Sequence, residues 1–66
     1  MAAGVVVQFD DDKGFGSIRG DDGRDYFFHC TALADGSRTI GEGTAVVYEV
    51  VPGHLGRWEA SRVSRA

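Results

Sequence analysis

Two short segments rich in glycine and aromatic residues restrict this chain more than any other feature. The first is Lys13–Ile18 (KGFGSI) and the second, further along the chain, is Asp25–His29 (DYFFH). Alternate side chains of an extended strand share a face, so Phe15 would face the same way as Phe27 and His29 if the two segments pair. The opposite face of the second segment is also aromatic. The sequence therefore predicts paired strands with rings on both faces, one face buried and the other open.

The predicted open face has the residue types needed to hold unpaired nucleobases. Phe15, Phe27 and His29 would offer flat surfaces on which any base can stack, and Lys13 lies beside them as a cation. The alternative for the two phenylalanines is an ordinary core position, which strand alternation disfavours because it directs Tyr26 inward. For His29 the alternative is a structural histidine whose ring nitrogens are satisfied locally.

Further strand signals and an absence of helical periodicity predict an all-β fold. The segments with strand character are Val5–Phe9, Gly14–Arg19, Asp25–His29, Ala45–Val51 and Trp58 to about Val63. Clusters of Gly, Asp and Pro separate them, and 30–43 is predicted to be a loop with a short helical turn near 31–33. Five short strands in one domain of residues 1–66 indicate a small closed barrel. Its predicted interior is Val6, Ile18, Tyr26, Phe28, Val46, Tyr48, Val50 and Val63, with Leu33 and Ile40 closing one end.

The charge balance argues against binding that depends mainly on phosphate contacts. Ten acidic residues outnumber seven Lys and Arg, which gives a net charge of -3. Domains that hold nucleic acid through its backbone are generally basic. Stacking and local cations would have to supply most of the affinity. The cations that could frame a site are Lys13, Arg38, Arg57, Arg62 and Arg65, although scattered solvated charge is the alternative for any one of them.

Other kinds of chemistry find little support. Cys30 is the only cysteine, so an intrachain disulfide or a Cys-rich metal site is not expected. Asp10–Asp12 reads as a solvated turn because three consecutive carboxylates do not converge on a cation. Cys30 and His29 would point to opposite faces of a strand, so a nucleophile and base pair is not predicted. We expect no enzyme activity and no cofactor. A cytoplasmic protein without membrane contact is expected, because no secretion signal or long apolar run is present. A monomer is expected, with a dimer through a long exposed strand edge as the alternative.

The order of several segments resembles the bacterial cold shock domain proteins over essentially the whole chain. The matching segments are Gly4-x-Val6-x-x-Phe9, Asp12-Lys13-Gly14-Phe15-Gly16-x-Ile18, Asp25-Tyr26-Phe27-Phe28-His29, Glu42-Gly43-x-x-Val46 and Gly56 to Val63. The resemblance implies a five-stranded antiparallel barrel of the oligonucleotide-binding type. It also implies binding of single-stranded RNA or DNA, as an RNA chaperone or a regulator of transcription or translation.

The resemblance also assigns residues to the expected binding site. Those that match the binding positions of the family are Lys13, Phe15, Phe27 and His29, with Phe9 and Asp25 as neighbours. The three ring-bearing residues of the paired strands would stack on successive bases, and Lys13 would reach a phosphate or a base edge. Asp25 would accept a hydrogen bond from an exocyclic amine.

Departures from the family pattern lower the expected affinity. Gln8 and Ser17 stand where the family has a tryptophan and a phenylalanine, Cys30 replaces another common aromatic, and Val5 and Val7 replace lysines. Each lost stacking contact is worth roughly 1 to 3 kcal/mol. The sequence therefore predicts a weaker binder than is usual in the family.

Trp58 offers partial compensation for the missing rings. It follows Arg57 in the last turn, where the family usually has a Gly-Pro-Gln run, and the two side chains could form a stacking and cation pair. The alternative is that Trp58 covers the mouth of the barrel. A second hypothesis for the whole chain also remains open, namely a protein-interaction barrel that kept the fold and lost most of its nucleic-acid surface.

Overall fold

Alternation of apolar and polar residues produces five strands in the computed structural model, which describes all residues from Met1 to Ala66. The strands are β1 (Ala2–Asp10), β2 (Phe15–Gly20), β3 (Asp25–His29), β4 (Ala45–Pro52) and β5 (Trp58–Arg65). Two 3-10 helices of three residues, Cys30–Ala32 and His54–Gly56, follow β3 and β4. Neither helix is long or apolar enough to cross a lipid bilayer. The predicted all-β architecture and the short helical turn after β3 are confirmed.

The strands close into a barrel in the order β1-β2-β3-β5-β4. Four of the five junctions are antiparallel, whereas β3 and β5 run parallel and share a single residue pair, Phe27 with Glu59. A closed ring with an odd number of strands cannot alternate direction at every junction, so one parallel contact is unavoidable. The predicted closed antiparallel barrel is confirmed apart from this junction, which lies beside the open aromatic face.

One apolar cluster fills the barrel. Its buried members are Val6, Ile18, Tyr26, Phe28, Leu33, Ile40, Val46, Tyr48, Ala60 and Val63. The prediction of the interior was wrong for Val50, which is 38% exposed. Val50 is opposite the buried Ala60 and belongs to the inward face of β4. However, β1 begins at Ala2, opposite Tyr48, so no residue of β1 covers Val50. Ala60, a small residue with no distinctive pattern, takes the buried position instead.

A bulge in β1 decides which side chains of that strand reach the open face. The pairing with β2 shifts between Val6 and Gln8, so Val7 is the extra residue. Gln8 consequently joins the row that contains Ser17, on the outer face, and Phe9 turns inward opposite Gly16. A Cβ on Gly16 would overlap the Gln8 carbonyl oxygen. Glycine at this position therefore lets the bulged strand lie close to β2.

Candidate nucleic-acid interface

Strands β2 and β3 place the predicted stacking residues on one open face. Phe15 is opposite His29, and Ser17 is opposite Phe27 in the antiparallel pairing. The Phe15 and Phe27 rings are half-buried, with centroids 5.5 Å apart and planes inclined by 39°. Their flat faces stand outside the core that Tyr26 and Phe28 fill. The predicted division of aromatic residues between an inner and an outer face is therefore confirmed.

His29 extends this face toward the loop after β3 while also capping the first 3-10 helix. Its Nδ1 accepts the backbone N–H of Thr31 at 3.3 Å and lies 3.0 Å from the Thr31 hydroxyl. The Cys30 Sγ lies 3.8 Å from the same nitrogen, so the two side chains are closer than strand alternation predicted. The ring is exposed, so a local structural role and a free stacking surface coexist in one side chain.

Lys13 stands at the end of a tight acidic turn beside Phe15. The Asp10 carboxylate accepts the backbone N–H groups of Asp12 and Lys13 at 3.0 and 3.1 Å, which closes the turn. Gly14 completes it with a φ of 75°, a left-handed conformation that suits glycine. The exposed Lys13 side chain forms no ion pair. The turn uses one carboxylate for its own backbone and leaves the lysine available.

Phe9 lies on the inner side of the sheet and does not join the open face. Its ring stacks on Phe28 with centroids 5.7 Å apart and an interplanar angle of 18°, and it packs against the core. The bulge at Val7 is the cause, because it reverses the alternation of β1 between Val6 and Phe9. Without the bulge Phe9 would be opposite Phe15, a position that Asp10 holds instead.

Asp25 lies at the edge of the open face with its carboxylate already engaged. Arg19 donates to it through Nε at 2.6 Å and through Nη2 at 3.4 Å. This hydrogen bonding lowers the pKa of Asp25 and raises the pKa of Arg19. Both side chains are more than half exposed, so the pair contributes little to stability. A base amine would have to compete with Arg19 for this carboxylate.

Trp58 and Arg57 border a groove that continues the open face toward β5. The groove has a volume of about 360 Å³ and is lined by Ser17, Arg24, Asp25, Tyr26, Phe27, Gly56, Arg57 and Trp58. Trp58 is 54% exposed, so it does not seal the barrel mouth. The structure thus brings Trp58 to the same groove as Phe27.

Arg38 lies beyond the opposite end of the face. It borders a concavity of about 220 Å³ together with Cys30 and Thr31, the residues that follow His29. The other two arginines that were expected to frame the site are occupied elsewhere. Arg62 pairs with Glu49 at 3.4 Å, and Arg65 pairs with Asp35. Those two pairs lie on β4, β5 and the long loop, and not on β2 and β3, which carry the aromatic face.

Sequence reasoning missed three residues that border the site. Arg24 lines the groove beside Trp58, Gln8 shares a cross-strand row with Ser17 and Phe27, and Glu59 is the β5 partner of Phe27. No local pattern marks Arg24 or Glu59, because their position depends on how β3 meets β5. The bulge that exposes Gln8 likewise depends on pairing with β2.

Fold and site together define a class of protein: a small five-stranded barrel of the oligonucleotide-binding type, with an aromatic outer face flanked by cations that form no ion pair. The family model for the 'Cold-shock' DNA-binding domain matches residues 2–66. The chain belongs to this family. The predicted family and single-stranded nucleic-acid binding as the function of the class are thereby confirmed.

Curated relatives resemble the chain over most of their length. Cold shock protein 2 of Lactiplantibacillus plantarum is 46% identical over 57 residues, which cover 85% of this chain and 86% of the relative. Cold shock protein CspB of Bacillus caldolyticus is 39% identical over 64 residues, covering 96% and 97%. Cold shock-like protein CspLB of Listeria monocytogenes is 38% identical over 66 residues, covering 98% of each chain.

Proposed function

We propose that this protein holds single-stranded RNA or DNA by stacking successive bases on Phe15, Phe27 and His29. The observation that carries the proposal is the pair of half-buried phenylalanine rings, 5.5 Å apart on the outer face of β2 and β3. Stacking tolerates any base, because each has a π-face, so the expected activity is general binding of unpaired strands. Such binding is what an RNA chaperone or a regulator of transcription or translation requires.

The cations that form no ion pair support a path for the bound strand across the face. Arg38 lies past His29 at one end of the face, Lys13 stands beside Phe15, and Arg57 borders the groove at the other end. A strand that crossed the face from Arg38 to Arg57 would meet a cation at each end and another beside the rings. Trp58 would extend the stacking surface at the β5 end, in place of the ring that is missing at Gln8.

We further propose that the chain acts as one domain of residues 1–66, as a monomer in the cytoplasm and without catalysis. The closed order of the five strands supports the monomer, because every strand has a neighbour on each side and only the end of β4 beyond Tyr48 lacks a β1 partner. Affinity is expected to be modest. Ser17 and Gln8 occupy the central row of the face with small or flexible polar side chains.

Substitution of the two stacking rings tests the proposal. Phe15→Ala and Phe27→Ala should each weaken binding of a labelled single-stranded oligonucleotide about five- to 150-fold, the equivalent of roughly 1 to 3 kcal/mol per base contact. Binding is measured by fluorescence anisotropy, and circular dichroism verifies the fold.

Val5→Ala is the matched control for this test. Val5 is an apolar residue, 39% exposed, on the strand next to β2, so its truncation removes outer apolar surface without touching the rings. The control should bind like the unsubstituted protein. Equal affinity of all three variants would refute stacking on these rings. Failure of the unsubstituted protein to bind any single strand would favour the protein-interaction barrel.

A further inference from the structure

A second concavity lies on the other side of Arg57 from the groove that contains Trp58. It has a volume of about 210 Å³ and is lined by Phe27, His54, Leu55, Arg57 and Glu59. The Phe27 ring and Arg57 border both spaces. A strand that stacks on Phe27 therefore passes this concavity, which combines an aromatic wall, an aliphatic wall, a carboxylate and a guanidinium.

One backbone hydrogen bond orients the Glu59 carboxylate beside Phe27. Glu59 and Phe27 are the single residue pair that joins β3 to β5. The Glu59 side chain lies directly over Gly53, where a Cβ would overlap it, and Oε2 accepts the backbone N–H of His54 at 3.3 Å. Glu59 forms no ion pair with a basic side chain. Its remaining lone pairs are therefore free to accept hydrogen bonds from a ligand.

An oriented carboxylate beside a stacking ring discriminates among the bases. Guanine presents two adjacent donors on its Watson–Crick edge, N1–H and the exocyclic N2 amine, which match the two oxygens of a carboxylate. Its neighbouring O6 is an acceptor that suits an arginine. Uracil and thymine present one N–H between two carbonyl oxygens, and those oxygens repel a carboxylate. Proteins read unstacked bases through such edge contacts.

We propose that this concavity is a guanine-selective subsite, in which Glu59 accepts the two donors of the base and Arg57 donates to O6 while Phe27 stacks on the ring. The subsite rests on the proposed single-strand binding and adds base preference to it. Gly53 is a positioning residue, because its lack of a Cβ lets the Glu59 side chain lie where the base edge would arrive.

Three oligonucleotides test the proposal by anisotropy on the full chain: oligouridine, the same oligomer with one internal guanosine, and the same oligomer with inosine at that position. The guanosine oligomer should bind about tenfold more tightly than oligouridine, as expected for a good bidentate contact to a base edge. Inosine lacks only the N2 amine, so it should lose most of that advantage. Equal affinities for all three oligomers would overturn the guanine subsite and leave single-strand binding intact.

Two substitutions connect the preference to Glu59. Glu59→Gln retains an acceptor for the His54 N–H but replaces one carboxylate oxygen by a donor. The ratio of guanosine to uridine affinity should therefore fall to near one. The affinity for oligouridine should stay the same or rise. Gly53 has an ordinary φ of -112°, so Gly53→Ala is compatible with the backbone and should lower the preference by displacing Glu59. Glu42→Gln makes the same change of charge on an exposed turn and should leave the preference unchanged.

The outcomes separate the subsite from the proposed function. A guanosine preference that survives in Glu59→Gln would overturn the role of Glu59. A preference that falls equally in Glu42→Gln would show a general charge effect and would also overturn it. Absence of binding to every oligonucleotide would overturn the proposed function and the subsite with it.

Discussion

Leu55 is one of two non-glycine residues with a positive φ, the other being Arg62. It lies in the left-handed region at φ 57° and ψ 36°, and its side chain is 87% exposed. Gly56 follows with a φ of 75°, and the Arg57 N–H donates to the His54 carbonyl at 3.1 Å. Although His54–Gly56 has the hydrogen bond of a 3-10 helix, the positive φ of Leu55 and Gly56 makes it a type I′ turn, for which Asn-Gly is the preferred pair. Leu55 therefore has a strained backbone, and its side chain lines the proposed guanine subsite together with Glu59.

Leu55→Asn should therefore stabilise the protein and weaken its ligand contacts. A left-handed conformation costs an ordinary residue roughly 1 to 2 kcal/mol, and asparagine relieves part of that cost. We expect the free energy of unfolding, measured by urea denaturation, to rise by about 0.5 to 1 kcal/mol. Leu55→Ala is the control, because it removes the side chain but retains the strain and should not stabilise. A gain of equal size in both variants would show that exposure of leucine, rather than strain, is the cause.

At the scale of elements, the turn between β2 and β3 is closed by a carboxylate and a tyrosine. Asp22 accepts the Tyr26 hydroxyl at 2.5 Å and the Arg24 backbone N–H at 2.9 Å. The hydrogen bond from Tyr26, followed by that from Arg24, lowers the pKa of Asp22, and the same bond to Asp22 raises the pKa of Tyr26. The hairpin that presents the stacking rings is thus closed by a titratable hydrogen-bonded pair, Asp22 and Tyr26.

The Asp22–Tyr26 pair predicts a loss of folding stability on both sides of neutral pH. Because the pKa of Asp22 is lowered by folding, its contribution is present above its ordinary value of 3.8 and is lost as the pH falls through the folded value. Because the pKa of Tyr26 is raised, its contribution is present below the ordinary value of 10.0 and is lost as the pH rises through the folded value. The melting temperature should therefore be flat between these limits and decline outside them.

Asp22→Asn identifies the source of the acid limb. This variant should melt at a lower temperature near neutral pH but lose less stability on acidification than the unsubstituted protein. Asp12→Asn serves as the control, because Asp12 is exposed and its carboxylate accepts no hydrogen bond. An acid limb of the same steepness in Asp22→Asn and the unsubstituted protein would assign it to other carboxylates, such as Asp35.

The long loop between β3 and β4 is attached to the barrel by both apolar and polar contacts. Leu33 and Ile40 are buried under the end of the core. Arg65 pairs with Asp35, and the Thr39 hydroxyl donates to Asp11 at 2.7 Å. These attachments hold the loop in place and set Arg38, which lies between Asp35 and Thr39, beyond the His29 end of the aromatic face.

At the scale of the whole molecule, net charge limits how binding depends on salt. The chain has a net charge of -3, and the basic residues near the face that form no ion pair are Lys13, Arg24, Arg38 and Arg57. Release of counterions from a single strand contributes a slope of about -0.7 per phosphate contact in a plot of log affinity against log salt. Four contacts set the steepest expected slope at about -3.

A salt titration measured by anisotropy tests this limit. The slope should be no steeper than about -3, and Lys13→Gln should reduce its magnitude by about 0.7. Arg62→Gln is the control, because it removes an arginine that pairs with Glu49 away from the face, and it should leave the slope unchanged. A much steeper slope would show that phosphate contacts rather than stacking dominate the affinity. A variant with Phe27→Ala should keep the slope and lose affinity at every salt concentration.

The sequence alone determined the features that follow from local periodicity. Alternation assigns Tyr26 and Phe28 to the core and Phe27 to the opposite face, and this assignment needs no knowledge of the neighbouring strands. The turn residues delimit five strands for the same reason. The prediction of the core therefore succeeded wherever a strand is regular and covered on both sides.

Tertiary structure decided the features that depend on pairing between distant strands. The bulge at Val7 turned Phe9 inward, and the start of β1 opposite Tyr48 left Val50 exposed. The parallel contact between β3 and β5 set Glu59 beside Phe27. Each of these outcomes is a matter of register and closure, which a single strand does not encode. Local alternation thus gives each strand its two faces, and only closure of the barrel determines which neighbours meet across them.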